Sequence, residues 1–129
     1  MRDAARWHYR YLQHPTQSYV LLVLRQFLTG RPLAAMALRE HPTHCEWLDY
    51  VGPQQGIELA VLAVREWVGA KGKPVTALVS DSVAALFSAQ AETVHPSQIQ
   101  IPVNAPPGQT TAPPWAGRFW FMGGDTDFL

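Results

Sequence analysis

Ala4, Trp7, His8 and Tyr11 fall at i, i+3, i+4 and i+7, the spacing of one helical face. The spacing predicts a short helix that stops at His14-Pro15, because a proline ring disfavours the α conformation in the residue before it. From Tyr19 to Leu28 the chain reads Tyr-Val-Leu-Leu-Val-Leu-Arg-Gln-Phe-Leu. That run is too short to span a membrane and rich in β-formers, which predicts a buried strand. Turn chemistry at Thr29-Gly30-Arg31-Pro32 leads into a second apolar run, Leu33 to Arg39, as in a β-hairpin. After a break at His41-Pro42, Cys45 to Val51 reads as a further strand, completing an antiparallel meander.

The period changes after Gly52-Pro53-Gln54-Gln55-Gly56. Ile57, Ala60, Val61, Val64 and Val68 share one helical face. Leu59, Leu62 and Ala63 make much of the other side apolar too, so this helix is expected to be covered on more than one side. Gly69, Gly72 and Pro74 end it, and Val75 to Val79 is a compact strand of the buried type. Strand, helix, strand in this order implies a right-handed crossover. Ser80-Asp81-Ser82 offers N-caps for a short helix to about Gln90, packed through Val83, Leu86 and Phe87. Ile99 and Ile101 alternate with Gln98 and Gln100 as in a strand. The proline-rich stretch 104–114 predicts a long loop, and Arg118 to Met122 a last strand. No internal repeat is present, so residues 1–129 read as one α/β domain.

Composition narrows the partners. A chain of 129 residues with 47% apolar residues buries roughly two-thirds of its unfolded surface without help from a metal or disulfide. The lone Cys45 cannot build a disulfide framework. Ten basic residues balance ten acidic ones, leaving no electrostatic pull towards nucleic acid or an anionic membrane. No run approaches the roughly 18 apolar residues of a membrane span, and no signal-peptide h-region follows Met1. The expectation is a cytoplasmic protein with neither nucleic acid nor membrane as partner.

The order of elements, together with Trp7…Tyr9-Arg10-Tyr11…His14-Pro15…Tyr19 and the closing Trp120…Gly124-Asp125-Thr126-Asp127, resembles the GCN5-related N-acetyltransferase (GNAT) superfamily without its first strand and helix. The resemblance spans Trp7 to Leu129. It implies a mixed, mostly antiparallel sheet flanked by helices, acetyl-CoA as cofactor and a small amine as substrate. A strand end, a glycine-containing loop and a helix N-terminus leave backbone N–H groups converging on one place, a site for phosphate. Alignment with the superfamily's Arg/Gln-x-x-Gly-x-Gly/Ala signature assigns Val51, Gly52, Gln54, Gln55, Gly56 and Ile57 to the cofactor. Val51 stands at the Arg/Gln position and Gln54 at the first glycine, so only Gly56 matches. The late helix lacks the general-acid Tyr common in the superfamily, and Ser82 and Ser88 are poor substitutes. The alternative function is a noncatalytic binding or interaction module that retains the fold.

Strand alternation sends Glu46 and Asp49 to opposite faces. Asp49, beside the loop, is the candidate for polarising an amine, against the plainer reading of a satisfied edge carboxylate. His41 and His44 have a metal-ligand spacing, but Pro42 between them favours a hairpin turn with exposed imidazoles, and no metal is assigned. Cys45 reads as a buried, inert thiol. Asp125 and Asp127 read as turn caps, and the dispersed Trp47, Tyr50, Trp67, Trp115 and Trp120 as core. Without a preceding strand, the Tyr19–Leu28 strand should lie at a sheet edge. It would then be covered by the N-terminal helix, by a second copy in a homodimer, or by the other half of a larger protein. The homodimer is the favoured expectation.

Overall fold

A computed structural model describes residues 4–88, 91–97 and 122–123. It is a mixed α/β fold built on one sheet of strands β1 (Val20–Arg25), β2 (Pro32–Glu40), β3 (Cys45–Val51) and β4 (Val75–Ala77), in that spatial order. β1, β2 and β3 form the expected antiparallel meander. β4 runs parallel to β3, as the intervening helix α2 (Ile57–Gly69) requires. Helix α3 (Asp81–Ser88) follows β4.

The two faces of the sheet are covered differently. Met36, Leu38, Cys45, Trp47 and Tyr50 meet Ile57, Ala60, Val61, Val64 and Val68 of α2 in the main core, with Leu86 and Phe87 of α3 at its margin. The Trp47 and Phe87 rings meet edge to face at 5.1 Å. On the other face the N-terminal helix sets Tyr11 against Ala37 and Leu48, with Trp7, Tyr19 and Leu21 around them.

Several boundaries differ from the sequence reading. The N-terminal helix begins as α1 (Ala4–Trp7) and widens into a π-turn over His8–Leu12, closed by Gln13 N–H donating to His8 O at 3.1 Å. Of the predicted face, Trp7 and Tyr11 turn inward while Ala4 and His8 stay exposed. β1 ends at Arg25, where its register shifts against Pro32, which has no N–H to donate. Residues 26–30 instead form a turn in which Gly30 adopts φ +66° and donates to Gln26 O at 2.8 Å. Phe27 and Leu28, expected inside a buried strand, are 97% and 87% exposed. Among the described residues α2 is covered on one side, where it lies on a single sheet face, and Leu59 and Leu62 are more than half exposed.

β4 stops at Ala77 rather than Val79. Leu78 O accepts from Gly123 N–H at 2.9 Å, and Val79 bridges antiparallel to Met122. Met122 is the one described residue of the predicted last strand. The expected strand at 99–101, the loop 104–114, Trp115, Trp120, Asp125 and Asp127 lie outside the described residues.

Candidate functional site

β3 carries a bulge. Leu38 pairs with Trp47 and Ala37 with Asp49, leaving Leu48 as the extra residue. Trp47 supports the kink by donating its indole N–H to Asp49 O at 2.9 Å. Cys45 and Trp47 therefore face α2, whereas Leu48 and Asp49 both turn to the N-terminal helix. Plain alternation fails here: Glu46 and Asp49 share a face, because the extra residue resets the pleat between them.

Asp49 is 4% exposed and lies on an interior strand, not at an edge. Its Oδ2 accepts from Trp7 Nε1 at 3.0 Å and from the Tyr11 hydroxyl at 3.3 Å. Its Oδ1 accepts from Tyr50 N–H at 2.8 Å. The carboxylate is a satisfied anchor for the N-terminal helix. A group so enclosed has no open path to a substrate amine.

The assigned cofactor loop is organised by Tyr50. Its hydroxyl donates to Pro53 O at 2.7 Å, and burial pushes its phenol pKa up. Gly52 and Gly56 flank that hydroxyl so closely that a Cβ on either would sit 2.6 or 2.8 Å from it. The glycines therefore make room for Tyr50. Gln54 and Gln55, exposed in a single 3₁₀ turn, keep backbone N–H groups without a hydrogen-bond partner among the described residues. No side chain caps α2, and Ile57 is buried in the core. Val51 ends β3 opposite Ala35.

Between β3 and β4 the sheet opens. β3 and β4 pair only from Cys45–Val75 to Trp47–Ala77. At the next residue the bulge bends β3 one way while Leu78 and Val79 leave for Gly123 and Met122. The resulting cleft, about 170 Å³, is lined by Glu46, Trp47, Leu48, Thr76, Ala77, Leu78 and Gly123. It lies at the carboxyl end of β4, opposite the middle of β3. The bulge and the divergence after Ala77 were not legible from strand periodicity.

Glu46 is the carboxylate on the cleft wall. Arg39 Nη2 and Nε donate to its Oε2 at 2.6 and 2.9 Å, and His41 Nε2 lies 2.7 Å from the same oxygen. Burial alone would raise the Glu46 carboxyl, but the hydrogen bonds from His41 and Arg39 and their charges together hold it below the usual range. His41 and His44, expected as exposed imidazoles, are partly buried and stack at 4.5 Å between ring centroids. The hairpin between them is as tight as expected, with His41 N–H donating to His44 O at 2.8 Å. Cys45 turns away into the core, fully buried, and burial raises its thiol pKa, so it is the inert thiol anticipated. Ser82 and Ser88 sit on α3, with Ser82 Oγ 3.0 Å from Ser80 Oγ. No described helix is long and apolar enough to cross a membrane. No protein-family model, no curated protein and no solved structure matches the chain.

Proposed function

We propose that the chain is an acyl-CoA-dependent N-acyltransferase-like domain of GNAT type, acting on a small amine. The observation that carries this reading is the cleft between β3 and β4. The parallel ladder ends at Trp47–Ala77, where β3 bulges and β4 turns to Met122 and Gly123, and a narrow slot opens between them. Its volume is below the roughly 300–1,000 Å³ of pockets that enclose a whole ligand, but suits the thin acyl end of an extended one. The open amides of Gln54 and Gln55, ahead of α2, suit the phosphates of the same molecule. Acyl-CoA would supply an activated thioester.

The chain's own groups divide the work. Backbone N–H groups along the slot would stabilise the oxyanion. The amine is held against the thioester carbonyl by the cleft walls. Its proton would pass to a carboxylate, with Glu46 on the wall in place of the enclosed Asp49, and the coenzyme would leave as its thiolate as the C–S bond breaks, taking up a proton to become the thiol. The reading carries a cytoplasmic setting, in which the thiol of Cys45 stays reduced, and a homodimer through the β1 edge.

The alternative, a noncatalytic module on the same fold, is favoured by one observation: Tyr50 already accounts for both loop glycines. Calorimetric titration with acetyl-CoA separates the two. The acyltransferase reading expects micromolar binding that disappears in Ala77→Trp, which fills the cleft from an exposed strand position. Absence of heat at millimolar acetyl-CoA, with the protein folded, supports the module. Gly56→Val is unsuitable as the control, because its side chain strikes Tyr50 whether or not phosphate binds.

A further inference from the structure

We propose that His41, His44 and Glu46 form a site for a divalent transition metal of the zinc class. Each presents one ligand atom, and the three atoms lie within 4.8 Å of one another. Two neutral imidazoles and one carboxylate are a donor set that suits Zn(II) and its neighbours and leaves coordination positions open. Bonds of about 2.0–2.2 Å in a tetrahedral site require ligand atoms roughly 3.3–3.6 Å apart. Loading therefore draws the ligand atoms together from within 4.8 Å, by a tilt of the two stacked rings towards a common point.

The surroundings are already set. The turn is closed by the His41 N–H bond to His44 O, and Lys73 Nζ donates to His41 O at 2.9 Å. Thr43 Oγ1 lies 3.2 Å from His44 Nδ1, which leaves Nε2 of that ring for an ion, the usual arrangement for a ligand oriented by an outer partner. Arg39 and His41 both meet Glu46 at Oε2, whereas Oε1 has no donor among the described residues. An ion takes Oε1 while Arg39 keeps Oε2, so the structural ion pair survives loading. His41 exchanges its contact with Oε2 for the metal. This inference does not rest on the acyltransferase reading, since it is decided with no acyl-CoA present.

The test is titration of the untagged full chain with Zn(II) by calorimetry and with Co(II) by visible absorption. The expected result is one equivalent bound, an intense Co(II) spectrum of low coordination number, and affinity falling in acid as the ligands take up protons. His44→Gln leaves the Arg39–Glu46–His41 contacts in place, so it should keep its melting temperature without metal while binding at least about tenfold more weakly. Glu46→Gln should also lose the Co(II) spectrum. Failure of the wild type to bind either ion at about 0.1 mM, or equal binding by folded His44→Gln, would overturn the proposal.

Discussion

Trp7 donates its indole N–H to Asp49 Oδ2 at 3.0 Å, joining residues 42 positions apart. With the Tyr11 hydroxyl on the same oxygen, the bond fastens the N-terminal helix to the bulged strand beneath it. The Trp7 and Tyr11 rings also meet edge to face at 5.1 Å, and Tyr11 meets Tyr19 at 5.2 Å. Asp49→Ala strands three donors in a buried place and should cost about 3 kcal/mol. Trp7→Phe keeps the ring and loses one donor, and should cost about 1 kcal/mol. Urea denaturation measures both, and an Asp49→Ala protein as stable as the wild type would remove Asp49 from this role.

The loop glycines make a coupling prediction. Gly56→Ala places a Cβ 2.8 Å from the Tyr50 hydroxyl and at ordinary distance from Pro53, so it should destabilise by about 1–3 kcal/mol. Tyr50→Phe removes the obstructing oxygen, and Gly56→Ala in that background should cost far less. A double-mutant cycle by urea denaturation reads the coupling directly. Gly52→Ala also meets Ala34 Cβ at 2.8 Å and should not be rescued to the same extent.

Acid stability follows from Glu46 and Glu40. Hydrogen bonds from Lys73 and then Lys71 hold the Glu40 carboxyl low, and His41 and Arg39 do so for Glu46. A carboxyl depressed by folding contributes stability above its unfolded pKa, about 4.3, and loses it as pH falls through the lower folded value. Unfolding free energy should hold steady from about pH 5 to 7 and decline below about pH 4. Glu46→Gln should make that decline shallower, whatever it does to stability at neutral pH. An unchanged slope would show that Glu46 is not depressed.

β1 lies at the end of the sheet order, and the N-terminal helix packs on a face of the sheet through Trp7 and Tyr11. Val23 on that strand is 46% exposed. Pairing of two β1 edges predicts a dimeric mass in light scattering at tens of micromolar, shifted to the monomer by Val23→Lys. A monomeric wild type would exclude the edge-to-edge dimer.

The elements most legible in the sequence are those whose burial is continuous. Cys45–Val51 and Ile57–Gly69 occupy the positions that their apolar periodicity predicts, because both pack over their whole length. Periodicity misleads where a local event breaks the repeat. Phe27 and Leu28 extend an apolar run past the point where Pro32 ends the pairing. Leu48 bulges and brings Glu46 and Asp49 to one face. Leu59 and Leu62 look like a second buried side but have no partner layer among the described residues. The candidate site shows the same division. The loop between β3 and α2 is legible from its glycines and its neighbours. The cleft is not, since it arises from β4 exchanging β3 for Met122 and Gly123, a choice made between residues 45 positions apart. His41 and His44 were visible as a pair, but Glu46 joins them only because the hairpin folds it back across β2.

The most direct test of the central reading is an amide-resolved NMR titration of the chain with acetyl-CoA. The account predicts saturable shifts at Trp47, Leu48, Ala77 and Leu78 along the cleft and at Gln54 and Gln55 beside α2, with Phe27 and Leu28 unmoved. Shifts confined to other surfaces, or none at millimolar acetyl-CoA, would contradict it.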